Sequence, residues 1–200
     1  LYHAPGHIGQ RWHAVTRRVV VTGTGVISSL GNNWLQVQQN LQNRVSGIRY
    51  MEAWDGYDDL NTRLAGPVLD FEVPSHYSRK KIRGMGRVAL LATRASELAL
   101  DDAGLLDDPV LVSGQAGVSY GSWTGNTEAA KDFAGMLMQS ESGKVTATTY
   151  IRMMAHTAPV NIGLFFGLKG RVYTTSSACT SGSQGIGYAY EAIKYGKQSI

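Results

Sequence analysis

The segment Thr175-Ser-Ser-Ala-Cys-Thr-Ser-Gly-Ser-Gln-Gly-Ile-Gly187 constrains the fold more than any other part of the chain. Arg171-Val172-Tyr173 runs into it with strand character, and an apolar run with helical spacing leaves it. The backbone must therefore turn sharply at Ser177-Ala178, between a strand and a helix. Cys179, the only cysteine, sits at that turn. A helix start presents unpaired N–H groups and the positive end of the helix dipole. That field favours thiolate over thiol, and thiolate is the reactive form. Small neighbours leave room for a substrate to reach the sulfur. Such a strand-to-helix turn is the geometry of a strained nucleophile turn. The competing reading is a buried structural thiol, with small residues serving only close helix packing.

Elsewhere strands and helices alternate, which predicts an α/β fold with a mixed sheet. Val19-Val20-Val21 reads as a strand buried on both faces, broken by Gly23 and Gly25. That glycine pair is not a dinucleotide fingerprint, because Ser28 stands where the third glycine belongs. Gly31-Asn32-Asn33 supplies capping chemistry for a helix over Trp34 to Asn43. Residues 46–76 read as loops and a short excursion. The strongest helical stretch is Arg79 to Leu106, with an apolar stripe of Val88, Leu91, Ala92, Ala95, Leu98 and Ala99, and Gly104 to end it. Arg79, Arg83 and Arg87 recur at four-residue spacing on one predicted face, flanked by Lys80 and Lys81. Ala116 to Tyr120 is a second strand, Gly121 to Gly125 a turn, and the stretch to Lys144 polar and mobile. Thr148 to Phe166 is predicted helical. Gly182 to Lys194 is a helix of small residues suited to burial between larger elements.

Apolar residues make up 43% of the 200, enough for a true core. No segment is long and apolar enough to span a bilayer, and no N-terminal apolar stretch argues for secretion, so a cytoplasmic location is expected. One cysteine excludes an intrachain disulfide. The net charge of +4 suits an acidic protein partner. Nucleic acid is disfavoured, since aromatic residues are not interleaved with basic ones. His3, His7 and His13 are too loosely spaced, and too far from carboxylates, to predict a metal site. His156, in an apolar stretch, reads as a core or interface histidine.

Ser177-Ala178-Cys179-Thr180-Ser181-Gly182 resembles the nucleophile motif of elongating β-ketoacyl-acyl carrier protein synthases. Arg17-Arg-Val-Val-Val-Thr-Gly-Thr-Gly25 resembles the first strand of that family. Ser78-Arg79-Lys80 resembles the opening of its basic helix, and Gly167-Leu-Lys-Gly170 the approach to its nucleophile strand. The resemblance runs through residues 17–200. More loosely, the regions 77–87 and 177–187 look like the aryl-polyene branch. The resemblance implies a thiolase-like fold of five layers, αβαβα, with this chain as its N-terminal half. Residues 1–16 are expected to be a leader or linker.

The same resemblance implies a reaction. Cys179 takes an acyl group from a carrier-protein thioester. Malonyl-carrier protein loses carbon dioxide, and the carbanion attacks the acyl-cysteine to give a 3-oxoacyl chain longer by two carbons. The Cys179 N–H is expected to supply half of an oxyanion hole. The family's two histidines and lysine fall in the other half, so this chain alone should not condense anything. Arg79, Lys80, Lys81, Arg83 and Arg87 are expected to dock the acidic acyl carrier protein, against the alternative of a solvated helix face. Trp123 and Thr124 fall where members gate the acyl tunnel, against the alternative of a loop aromatic packed on its own domain. A homodimer is expected, with Met153 to Phe166 at the interface or tunnel wall, and no cofactor. Other classes stay open: a non-catalytic partner subunit, which would lack the nucleophile; another thiolase-fold acyltransferase; or a binding domain with an inert thiol.

Overall fold

The computed structural model describes residues 16–140, 142–143 and 145–200. The histidines His3, His7 and His13 and nearly all of the expected leader lie outside the described residues. Helix α1 (Trp34–Gln42) starts as the sequence predicts: the Asn33 side chain accepts from the Gln36 N–H. The excursion that follows is a small antiparallel pair, β1 (Arg49–Tyr50) with β2 (Leu64–Ala65). Next come α2 (Arg79–Ile82) and α3 (Arg87–Asp102). Strand β3 (Val118–Gly121) leads to three helices: α4 (Thr127–Gln139), α5 (Ala147–Met153) and α6 (Thr157–Phe166). Strand β4 (Val172–Thr175) and α7 (Ser181–Lys194) close the chain.

The centre is the parallel pair β3–β4, in register from Val118 opposite Val172 to Gly121 opposite Thr175. Successive side chains point to opposite faces of a strand. Tyr120 accordingly packs with Ala89 of α3, Ala158 of α6 and Met85 from the break before α3. Ser119 faces the other way, and its hydroxyl donates to the Gly185 carbonyl of α7 at 2.7 Å. The result is a slice of three layers, with α3 and α6 on one side of the strands and α7 on the other. Gly167, at φ +70°, ends α6 in a left-handed turn that a side chain would strain, and β4 then starts within a few residues.

Several expectations need correction. Val19-Val20-Val21 has no strand partner among the described residues, and Val20 and Val21 are exposed. An apolar β-branched run reports a preference for a covered surface, not where the cover comes from. Instead the segment is tied by its backbone: Thr24 N–H donates to Asp102 Oδ2 at 2.8 Å, and Gly25 lies directly on the α3 backbone.

The helix expected from Arg79 to Leu106 is two helices. Arg83 caps α2, Gly84 and Gly86 follow, and Gly86 is the N-cap of α3. Two glycines within three residues interrupt the helix at low cost. Arg87 therefore does not share a helical face with Arg79 and Arg83. The face of α3 that is buried holds Ala89, Thr93 and Glu97, whereas much of the predicted apolar stripe lines an open groove of 440 Å³.

The segment expected to be polar and mobile contains α4, which packs on α5 with Ala129 buried and the Phe133 and Tyr150 rings tilted against each other, 6.2 Å between centroids. The Thr148–Phe166 helix is broken at Met154, which is extended. Pro159 lacks an N–H and fits the first turn of a new helix, so α6 starts at Thr157. His156 is exposed rather than in the core. Finally, α7 buries Ser181, Gly185 and Ala192 but leaves Ile186 exposed, so among the described residues it is covered on one face only.

Candidate active site

The turn between β4 and α7 is built from side-chain hydrogen bonds of its own small polar residues. Ala178 has φ +50°, a left-handed conformation that costs an L-residue about 1–2 kcal/mol. Ser181 holds it in place. Its hydroxyl accepts the Ser177 N–H at 2.8 Å and donates to the Ala178 carbonyl at 2.8 Å. Buried Thr175 donates to the Ser181 carbonyl at 2.6 Å, fastening the first turn of α7 to the end of β4. Ser177 donates to Gln184 Oε1 at 2.6 Å, and Thr180 donates to the Ser177 carbonyl at 2.8 Å. The strain is therefore local and over-determined, as expected at a functional turn.

Cys179 follows Ala178 in a short 3-10 turn that runs directly into α7, and it is exposed. Among the described residues nothing buries this thiol. Gly121 explains why β3 ends here: a Cβ on it would lie 2.2 Å from the Ser181 backbone. Only glycine lets the strand pass under the first turn of α7.

The Trp123-Thr124 turn lies beside this one. Ser122 N–H donates to the Thr175 carbonyl at 3.0 Å, and the Ser176 hydroxyl to the Trp123 carbonyl at 3.5 Å. The Ser122 hydroxyl in turn donates to the Thr124 carbonyl at 2.7 Å. Trp123 is 71% exposed among the described residues.

The basic residues occupy a separate place. Arg79, Lys80, Lys81, Arg83 and Arg87 are all exposed, and none pairs with a carboxylate among the described residues. Lys81 sits 4.8 Å over the Phe165 ring, and Arg87 donates to the Val68 carbonyl. This segment is anchored from below by residues that sequence reasoning missed. Tyr77 is buried, and its hydroxyl donates to Glu97 at 2.9 Å; His76 Nε2 lies 2.6 Å from the same carboxylate, and Arg94 pairs with it. Burial works to raise the Glu97 pKa. The hydrogen bonds from His76, Arg94 and Tyr77, with the Arg94 charge, outweigh it and hold the carboxyl below its usual range. Burial, then the bond to Glu97, pushes the Tyr77 phenol up. A glutamate one helical turn after Arg94 and twenty residues from His76-Tyr77 carries no signal of that meeting until the chain folds.

A strand, a strained turn and an exposed thiol at a helix start have the form of a nucleophile turn. Residues 16–200 match the family described as "Beta-ketoacyl synthase, N-terminal domain". The chain belongs to the β-ketoacyl synthase family. It is 32% identical over 180 residues to the 3-oxoacyl-[acyl-carrier-protein] synthase 2 of Vibrio harveyi, covering 90% of this chain and 43% of that one. It is 32% identical over 190 residues to the corresponding synthase 1 of Haemophilus influenzae, covering 92% and 45%. The crystal structure of a β-ketoacyl synthase from Burkholderia phymatum superposes with a TM-score of 0.85 at 47% identity, over 90% of this chain and 44% of that one. The ishigamide ketosynthase/chain length factor superposes with a TM-score of 0.78 at 28% identity, over 92% and 45%. The β-ketoacyl synthase chain thus has the thiolase-like fold of these structures and spans about half the length of the relatives it matches. Among its described residues, no helix is long and apolar enough to cross a membrane.

Proposed function

We propose that this chain is the acyl-accepting half of a 3-oxoacyl-acyl carrier protein synthase, with Cys179 as its nucleophile. The observation that carries the reading is the exposed thiol on a left-handed turn at the start of α7. The Cys179 thiolate attacks the carbonyl carbon of an acyl-carrier thioester. The tetrahedral oxyanion is held in part by the Cys179 N–H, and the carrier thiolate leaves, taking up a proton. Malonyl-carrier protein then breaks its carboxyl C–C bond and releases carbon dioxide. The carbanion so formed attacks the acyl-cysteine carbonyl, forms the new C–C bond and expels the Cys179 thiolate. The product is a 3-oxoacyl chain two carbons longer. Assistance to decarboxylation is assigned to residues of the full-length protein beyond this chain.

In the same reading Trp123 and Thr124 border the acyl group. Their support is the pair of hydrogen bonds that joins their turn to Thr175 and Ser176. Arg79, Lys80, Lys81, Arg83 and Arg87 receive the acidic acyl carrier protein, supported by five exposed cations without carboxylate partners among the described residues. The full-length protein pairs as a dimer, with the Met153–Phe166 region at the interface or tunnel wall. Its partner is a second copy, or a related subunit, as in the ishigamide ketosynthase/chain length factor pair. As the subunit of such a pair that retains a thiol, this chain takes the catalytic part.

Full-length protein given acyl- and malonyl-carrier substrates should release a 3-oxoacyl-carrier product. Cys179→Ser should abolish it. Condensation by the serine variant at the wild-type rate would remove Cys179 from the mechanism.

A further inference from the structure

Arg152, at the end of α5, joins the two surfaces that the proposed function uses separately. Its side chain reaches the break between α2 and α3. There the guanidinium donates through Nη2 to the Arg83 carbonyl and through Nε to the Gly84 carbonyl at 3.4 Å. Arg83 is the C-cap of α2 and Gly84 follows it, so neither carbonyl has an intrahelical partner. A guanidinium is suited to both, because its donors are fixed in a planar fork.

The backbone of the same residue faces the other way. Its carbonyl accepts the Asn126 N–H at 2.8 Å, and the neighbouring Met153 carbonyl accepts the Gly125 N–H at 3.1 Å. Gly125 and Asn126 continue directly from Trp123-Thr124. The three segments are tightly packed. A Cβ on Gly125 would lie 2.3 Å from the Arg152 carbonyl oxygen, and one on Gly86 would lie 2.6 Å from the Asn126 Cβ. Neither glycine leaves room for the segments to slide past each other.

We propose that Arg152 is a positioning residue that locks the basic segment 79–87 and the Trp123-Thr124 turn into one frame. A carrier protein seated on the cations is thereby held in register with the turn beside Cys179. This rests on the carrier-docking reading above. Arg152 touches neither substrate nor thiol. Its effect is on how a carrier-bound acyl group is presented, and a small free thioester should not need it.

The test compares Arg152→Gln and Arg152→Lys with wild type in the full-length protein. Acylation of Cys179 is followed from an acyl-carrier protein and from an acyl N-acetylcysteamine thioester. Backbone amide exchange is followed by mass spectrometry in the same samples. With Arg152→Gln, acylation from the carrier should fall about tenfold or more, as expected for losing the charge from both hydrogen bonds that Arg152 donates. Acylation from the small thioester should stay within about twofold, because the thiol turn is built from its own hydrogen bonds. Arg152→Lys keeps the charge but not the fork and should recover only part of the loss. Amide exchange should accelerate together in residues 79–87 and 122–126.

Equal losses from both donors, or no loss from either, would overturn the proposal. So would faster exchange confined to residues 79–87, which would make Arg152 a local helix cap. Wild-type protein that no acyl-carrier protein acylates would refute the proposed function instead. The exchange measurement would then still decide whether Arg152 couples the two segments.

Discussion

The thiol turn and the basic segment are both exposed, yet they are held by opposite means. The turn is held by its neighbours in sequence: Thr175, Ser177, Thr180, Ser181 and Gln184 bond within a span of ten residues. The basic segment is a single turn of helix flanked by a glycine-containing break. It is held by distant residues: Glu97 beneath His76 and Tyr77, Phe165 under Lys81, and Arg152 at its end. A reactive group needs a geometry that survives motion elsewhere. A docking surface, the part proposed for the basic segment, gains from being tied to the elements it must address.

The largest test of this contrast removes the buried anchor. Glu97→Gln should lower the stability of the protein by about 2–3 kcal/mol, since it removes the charge from a carboxylate that holds Arg94, His76 and Tyr77. The Glu97 carboxyl is held below its usual value of 4.5 when folded. Its contribution is therefore complete above the unfolded value and lost as pH falls through the lower folded one. The gap between wild type and variant, read by urea unfolding, should close in acid. A gap that widened in acid would contradict the assignment. The thiol turn should keep its labelling rate in the folded variant.

A smaller effect is expected where strand β3 meets helix α7. Gly121→Ala forces a Cβ against the Ser181 backbone and should cost about 2 kcal/mol. In the fraction that folds, iodoacetamide should label Cys179 at a changed rate, because α7 must shift under the turn. An unchanged melting temperature would show that the packing there is loose. The smallest effect belongs to the exposed cations. Lys80→Glu with Arg83→Glu should raise KM for carrier-bound substrates about tenfold and weaken its salt dependence. KM for a small thioester should not move. Equal losses for both would mean that the segment is structural.

Legibility in the sequence follows the same division. The turn at Cys179, its feeding strand and the helix after it could be read directly, because every determinant lies within about twenty residues. Asn33 capping α1 and Gly104 ending α3 were legible for the same reason. The single helix expected from Arg79 was not: Gly84 and Gly86 were outweighed by a strong apolar period on both sides. Helix α4 was hidden by polar residues around its Ala129, Phe133 and Met136 face. Val20 and Val21 read as buried strand, yet nothing among the described residues covers them. The links from Glu97 to Tyr77 and from Arg152 to Arg83 join residues 20 and 69 positions apart, and no local pattern announces either.

The central claim is that Cys179 accepts the acyl group, and mapping the acylated residue tests it most directly. Full-length protein is incubated with acyl-carrier protein alone, digested, and read by tandem mass spectrometry. One acyl group per chain is expected, carried on the peptide that contains Cys179 and released by neutral hydroxylamine, as a thioester is. An acyl group on any other residue, or none on Cys179 while 3-oxoacyl product still forms when malonyl-carrier protein is added, would contradict it.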